Sequence, residues 1–275
     1  MKGIKLYVLA TGVLPQDKSI LIAGLTQATE KNRNPVPVWS RTPTYAVLIE
    51  HPDGYVLFDT SVNPEGMTKR FPQSLKTMNN YEAADDEQFP ARLAQLKVKP
   101  EQIKYIVMSH MHFDHAGNLE LFTNAEITVH EDEFAQAYKA FGLNSEMGVY
   151  VWEDLHQAAM KKLNWKLLPA GVEKKVLLPG LTIYNFGSGH SYGMLGLLVE
   201  LESAGNILLV ADAIYTSTNY GPPLKPPGII YDSIGWARTA EKIREIATEK
   251  NAQVWFGHDE DQLKTLKKST EGYYE

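Results

Sequence analysis

Cysteine is absent from the 275 residues. That excludes a disulfide scaffold, a thiolate metal site, an iron–sulfur cluster and a cysteine nucleophile. Positive charge is also scarce: 27 Lys and Arg stand against 33 Asp and Glu, a net charge of -6. A broad basic face for nucleic acid is therefore not expected. No apolar run approaches the ~18 residues of a membrane span, so no membrane partner is expected either. The opening segment, Met1 to Leu14, carries two lysines ahead of apolar residues, but Thr11 and Gly12 interrupt it and no convincing cleavage site follows. It reads as a strand rather than a signal peptide, and the expected compartment is the cytoplasm. Repeats and low-complexity linkers are missing too.

What remains is ordinary globular usage, 44% hydrophobic and 22% charged, which argues against disorder. A chain of this length buries roughly 70–75% of its unfolded surface, and residues 1–275 read as one domain. Short runs rich in Val, Ile, Leu, Tyr and Phe predict strands at Ile4–Leu9, Thr44–Ile49, Tyr55–Phe58, Lys104–Met108, Glu126–Val129, Thr182–Phe186, Gly196–Leu201, Ile207–Val210 and Gln253–Phe256. Apolar residues at helical spacing predict helices over Glu87–Leu96, Glu131–Ala140, Trp152–Leu163 and Ser233–Thr248. Strand blocks alternating with helices suggest mixed sheets covered by helices on their outer faces. Three polar or proline-containing stretches, 16–41, 62–86 and 216–231, read as long loops, a class that is often functional.

The sharpest chemical signal is Ser109-His-Met-His-Phe-Asp-His-Ala-Gly117, directly after a predicted strand. His110, His112, Asp114 and His115 place four potential ligands within six residues, although the whole chain has only 8 His. Imidazole suits zinc, iron, nickel and cobalt, and a carboxylate adds a harder ligand. Three more candidates end predicted strands: His190 in Gly187-Ser-Gly-His-Ser191, Asp212 in Val210-Ala-Asp-Ala213, and His258 in Phe256-Gly-His-Asp259. Gly189, Ala211 and Gly257 beside them permit close backbone approach. His51, His130 and His156 lack this context and read as packed or solvated side chains.

The HxHxDH segment, followed by a His, an Asp and a final His at strand ends, resembles the metallo-β-lactamase superfamily over most of the chain. The resemblance implies an α/β fold, the αβ/βα sandwich, with two mixed β-sheets packed face to face and helices outside. More closely, the chain is similar to the N-acyl homoserine lactone lactonases, the quorum-quenching members. The carriers are Ser109 to Gly117 including Phe113, the tyrosine of Asp212-Ala-Ile-Tyr215, the Phe256 to Asp259 ending and the Lys5-Leu-Tyr7 opening. Three positions depart from that pattern: Tyr192 and Met194 replace the Pro and the second His of the usual Gly-His-Ser-Pro-Gly-His around His190, and Ser61 stands where Gly is common.

By that resemblance His110, His112 and His190 hold one metal, Asp114, His115 and His258 hold another, and Asp212 bridges them. Zinc is the simplest choice, with cobalt, manganese and iron also fitting. Two ions ~3.5–4 Å apart share a water and lower its pKa towards ~7, and the bridging hydroxide attacks the lactone carbonyl. Tyr215 is implied as hydrogen-bond donor to the oxygen that gains charge, and Asp114 as proton carrier to the departing alkoxide. Asp59 is expected behind a ligating imidazole, the alternative being a strand-end turn residue. Phe113, Leu14, Ile20, Trp39, Phe71, Leu224 and Ile229 are candidates for the acyl-chain wall. The implied partner is a small lactone, and the long loops together with the resemblance admit a homodimer.

Rival readings stay within the superfamily or fall away. Arylesterase, glyoxalase II-like thioesterase and organophosphate hydrolase branches share the metal motif. Gly189-His-Ser-Tyr-Gly193 fits G-x-S-x-G, with Ser191, Asp212 and His258 in α/β-hydrolase order. A nucleophile elbow needs a helix after the serine, however, and Met194–Leu201 reads as a strand. A non-catalytic scaffold would be expected to lose ligands, and all seven are present.

Overall fold

The computed structural model of the protein describes residues 3–144 and 149–275. The chain first builds β1 (Lys5–Asp17), β2 (Trp39–His51), β3 (Gly54–Phe58), α1 (Gln73–Met78), α2 (Phe89–Gln95), β4 (Ile103–Val107) and α3 (Phe113–Ala116). Next come β5 (Glu126–His130), α4 (Glu131–Gly142), α5 (Trp152–Met160), β6 (Asn164–Leu168), β7 (Lys174–Leu178), β8 (Leu181–Gly187) and β9 (Met194–Glu200). It closes with β10 (Asn206–Ala211), α6 (Ser217–Tyr220), α7 (Ser233–Glu249), β11 (Ala252–Phe256) and α8 (Glu260–Thr265). One sheet has the order β1-β2-β3-β4-β5-β6 and the other β11-β10-β9-β8-β7. Both are mixed: β3 to β6 run parallel, as do β10 and β11, and the remaining pairs are antiparallel.

Strands buried on both faces read as near-continuous apolar runs, and β10 shows why. Ile207 and Leu209 point between the sheets, onto Val47, Val107 and Leu197. Leu208 and Val210 point outward, onto Trp236, Ala240 and Ile243 of α7. The first sheet does the same: Val56 faces its partner sheet, whereas Leu57 and Ile106 pack under α2, α4 and α5 with Phe89, Ala137 and Leu155. The Asp232 carboxylate caps α7 by accepting from the amides of Ile234 (3.1 Å) and Gly235 (2.9 Å). The result is the αβ/βα sandwich that the motif resemblance implies. No helix of the described residues is long and apolar enough to cross a membrane.

Several local expectations change. Thr11 and Gly12 do not end the first strand. They form a bulge in it, with Gly12 at φ 106°, and β1 then pairs with β2 out to Asp17 opposite Trp39. The predicted loop 16–41 shrinks accordingly, the 62–86 stretch contains α1, and 216–231 contains α6. Neither β6 nor β7 was expected. Each is the edge of its sheet, β6 with one lysine and β7 with two, which hides the apolar alternation of a strand.

Candidate metal centre

Five strands deliver chemistry from their carboxyl ends to one edge of the sandwich. Asp59 follows β3, His110 and His112 follow β4, and Asp114 and His115 lie on α3. His190 sits in the β8–β9 connection, Asp212 follows β10, and His258 follows β11. All of them are buried, at most 8% exposed. Close approach is enforced where β10 and β11 end. A Cβ on Gly257 would lie 2.5 Å from Asp212 Oδ1 and 2.7 Å from the Ala211 carbonyl carbon, so a side chain cannot fit there.

The side chains form two facing groups: His110, His112 and His190, and then Asp114, His115, Asp212 and His258. Asp212 turns one oxygen towards each. Its Oδ2 lies 3.3 Å from His190 Nε2 and 3.7 Å from His110 Nε2. Its Oδ1 lies 3.0 Å from His258 Nε2 and 3.3 Å from His115 Nε2. Zinc–nitrogen bonds of about 2.0–2.1 Å set two ligands of one tetrahedral ion about 3.3 Å apart, which matches these separations.

Proton accounting leads to the same conclusion. His115 Nδ1 donates to Asp59 Oδ2 at 2.8 Å, and His258 Nδ1 donates to the Pro43 carbonyl at 2.8 Å. The Ser109 hydroxyl donates to Asp59 Oδ2 at 2.7 Å, so it accepts from His110 Nδ1 at 2.9 Å. His190 Nδ1 faces the Ile229 carbonyl at 3.3 Å and the Tyr215 hydroxyl at 3.1 Å. With those protons placed outward, four Nε2 lone pairs converge inward. His112 instead turns Nδ1 inward, 2.9 Å from His190 Nε2. His110 Nε2, His115 Nε2 and Asp212 Oδ1 are buried without a hydrogen-bond partner among the described residues. Buried polar atoms left this way are costly unless something fills the gap, and lone pairs that converge within each group fit a cation there.

Charge divides the two groups. Burial pushes His110 and His112 well below the usual imidazole range, and neighbouring imidazoles push the same way. Burial also lowers His190, with Asp212 opposing it. Burial pulls on His115 and His258 as well, but there the Asp212 and Asp114 carboxylates prevail, holding His115 well above its usual range and His258 at about 10. The three-histidine group therefore favours neutral imidazoles, whereas beside the two carboxylates His115 and His258 favour a second proton on Nε2, the position that a cation would take in its place. Burial, then Asp212 and Asp114, holds the Tyr215 phenol well above its ordinary value, so it remains a proton donor.

A cavity of ≈ 250 Å³ opens above this floor. Leu14, Ile20, Phe113 and Ile229 line it, together with His112, Asp114, His190, Asp212, Tyr215 and His258. Three expected wall residues are elsewhere. Trp39 is 63% exposed at the far end of the β1–β2 hairpin. Phe71 is buried behind Phe113, edge-on at 5.0 Å, and so supports the wall without forming it. Leu224 packs against the α7 cluster. The missing wall comes from α1 and its surroundings: Leu75, Met78, Ser74 and Asn79, with Leu21 and Gln16 opposite. The other histidines are packed: His51 bonds the Pro179 carbonyl, His130 caps α4, and His156 stacks on Trp152. Ser191 sits between two antiparallel strands and contacts Tyr150 and Glu133, not Asp212 or His258.

The family model described as the metallo-beta-lactamase superfamily matches residues 39–258. The chain is 39% identical over 275 residues to N-acyl homoserine lactonase AiiB of Agrobacterium fabrum, covering 99% of this chain and 100% of that one. It is 30% identical over 271 residues to N-acyl homoserine lactonase of Bacillus cereus, covering 96% of each. A solved N-acyl homoserine lactone hydrolase with the product N-hexanoyl-L-homoserine at its catalytic metal centre superposes with a TM-score of 0.81. That match covers 98% of both chains at 24% identity, and so shows likeness of fold.

Proposed function

The chain belongs to the metallo-beta-lactamase superfamily and, within it, to the N-acyl homoserine lactonases, and on that footing we propose that it hydrolyses the lactone ring of N-acyl homoserine lactones. The observation that carries the reading is a single cavity with a floor of converging ligand atoms and the Tyr215 hydroxyl, and with walls that are largely apolar. In this reading His110, His112 and His190 would hold one divalent ion, Asp114, His115 and His258 would hold the second, and Asp212 would serve both. Two ions held there would supply an activated water and a polarised ester carbonyl. The finer assignments we propose are zinc for the ions, a homodimer for the assembly and the cytoplasm for the compartment.

The chain's own groups do the rest. Because the Tyr215 oxygen can accept from His190 Nδ1 (3.1 Å), its own proton is free for the substrate oxygen that gains charge. Asp114 reaches the cavity floor and can carry a proton from the attacking water to the ring oxygen as it leaves as an alkoxide. Leu14, Ile20, Leu75 and Ile229 offer the acyl chain an apolar surface.

The test is proton release on adding C6- and C12-acyl homoserine lactones, before and after chelator stripping. Ring opening that disappears with the ions and returns with added zinc is expected. No release with either lactone, while the protein still holds about two ions, would move the assignment to an esterase, thioesterase or phosphotriesterase of the same fold.

A further inference from the structure

We propose that Glu133 is a positioning residue that sets the affinity of the three-histidine ion site by tying together the two loops that build it. The inference rests on reading His110, His112 and His190 as one ion site. Glu133 lies in the first turn of α4, is fully buried, and pairs with no cation among the described residues. Its carboxyl group is met by hydrogen bonds instead. Oε1 accepts from the Met111 amide at 2.8 Å and from the Tyr150 hydroxyl at 3.1 Å. Oε2 accepts from the Ser191 hydroxyl at 2.5 Å and the Tyr192 amide at 3.2 Å. Met111 stands between His110 and His112, and Ser191 follows His190. One carboxylate thus holds a residue adjacent in sequence to each of the three histidines.

His112 is where this matters most. The other four histidines of the centre have a hydrogen-bond partner on the ring nitrogen that faces away: Ser109, Asp59, Pro43, and Ile229 or Tyr215. His112 has none among the described residues. Its ring rests edge-on against Tyr150, centroids 5.1 Å apart, and the Tyr150 hydroxyl lies between Glu133 and Ser191 Oγ (3.0 Å). Orientation that the other ligands take from a direct hydrogen bond reaches His112 through its backbone neighbour and this ring. The β8–β9 loop also meets the end of β5 at the residue that caps α4: a Cβ on Gly193 would lie 2.1 Å from His130 Nδ1. Glu133 makes no hydrogen bond to Asp114, His115 or His258 among the described residues. Its loss should therefore be felt at one ion and not the other.

The experiment follows zinc release from the two-zinc protein into excess chromophoric chelator for wild type, E133Q, S191A, H112A and H258A. An amide at position 133 turns a donor towards one loop or the other, so E133Q should release one ion about 10–100-fold faster. That ion should be the one H112A fails to hold, with the ion lost in H258A changed little. S191A removes one donor without touching a ligand, and should speed the same phase to a smaller degree. It decides the matter if E133Q does not fold. Wild-type release from both variants, or equal acceleration of both ions, overturns the proposal. Retention of two tightly held ions by H112A overturns the ion-site reading beneath it, whatever E133Q does.

Discussion

Replacing Asp59 with asparagine isolates the outer layer of the centre, because the backbone should not object. Asp59 sits at φ 63°, in the left-handed region where Asn is tolerated as well as Asp. The carboxylate has three donors: the Ser109 amide at 2.7 Å, the Ser109 hydroxyl at 2.7 Å and His115 Nδ1 at 2.8 Å. Asparagine keeps one acceptor oxygen and turns an amine towards the rest. If the amine faces the Ser109 amide, one charge-assisted bond is lost and two become neutral. If it faces His115, the imidazole is driven to the tautomer that carries its proton on Nε2, where the ion must bind. Hydrogen bonds to charged groups contribute ~1.5–3 kcal/mol and neutral ones ~1 kcal/mol. The first orientation thus gives up roughly 2.5–7 kcal/mol of hydrogen bonding, and the share that reaches the ion through the imidazole should fall within the ~10–100-fold in affinity typical of partners behind metal ligands. The ion at His115 should suffer most, and the ion at His110 less, through Ser109. Competition with a chromophoric chelator reads both affinities, and lactone ring opening at saturating zinc reads what catalysis remains. Wild-type affinity at both sites in D59N would refute the reasoning, because it would mean that the tautomers are set by the ions alone.

Three further outcomes are expected. Y215F should keep both ions and lose about a hundredfold in kcat, measured by steady-state proton release; unchanged kcat would reduce Tyr215 to a wall residue. Stripping the ions should lower Tm by roughly 10 °C, since a ligand at 100–1,000 times its Kd adds ~3–4 kcal/mol to the folded state, and calorimetry with added zinc should show recovery. Burial, opposed by Arg70, raises Asp154 from 3.8 to about 7. The fold thus prefers its protonated form, and the stability this contributes is complete below about pH 4 and lost as pH rises through about 7. Urea midpoints of wild type should fall relative to D154N over that interval, and a constant gap would contradict the shift.

The legible part of this protein is the part whose chemistry restricts residue type. Ligation needs imidazole and carboxylate, and strand ends need small residues beside them, so His110 through His115, His190, Asp212 and His258 stand out in the bare sequence. The cavity walls carry no such restriction. Trp39, Phe71 and Leu224 are as apolar as Leu14 and Ile20, and only the β1–β2 register and the packing of Phe71 on Phe113 separate lining from backing. Leu75 and Met78 hide in a six-residue helix inside a polar stretch. Glu133 hides differently. It is one of three acids opening α4, a place where acids ordinarily just face the helix dipole, and it is the contact of α4 with two loops that buries this one.

Each kind of residue in the centre acts on a different observable, and the architecture explains why. The ligands and their partners Asp59, Ser109 and Pro43 lie at the ends of, or within, β2, β3, β4, β10 and β11, on α3 just after β4, or, for His190, in the β8–β9 connection, and the inner faces of these strands share one packed core. Packed strand ends hold side chains more closely than loops do, so changes in this layer should appear as altered ion affinity. The wall comes from α1, the last residues of β1 with the turn after them, and the segment around Ile229, whose lining residues lie outside the shared core. Substitutions there can reshape the cavity at little cost to the ions and should appear in KM. Tyr215 lies between the two layers: His190 fixes its oxygen, and its proton faces the cavity. It should therefore act on kcat alone. Glu133 is the exception to this division, a helix residue that governs ligand geometry because two ligand-bearing loops both lean on α4. A variant of the α4 terminus that alters ion release without altering KM would show that the helix layer belongs to the centre as much as the strands do.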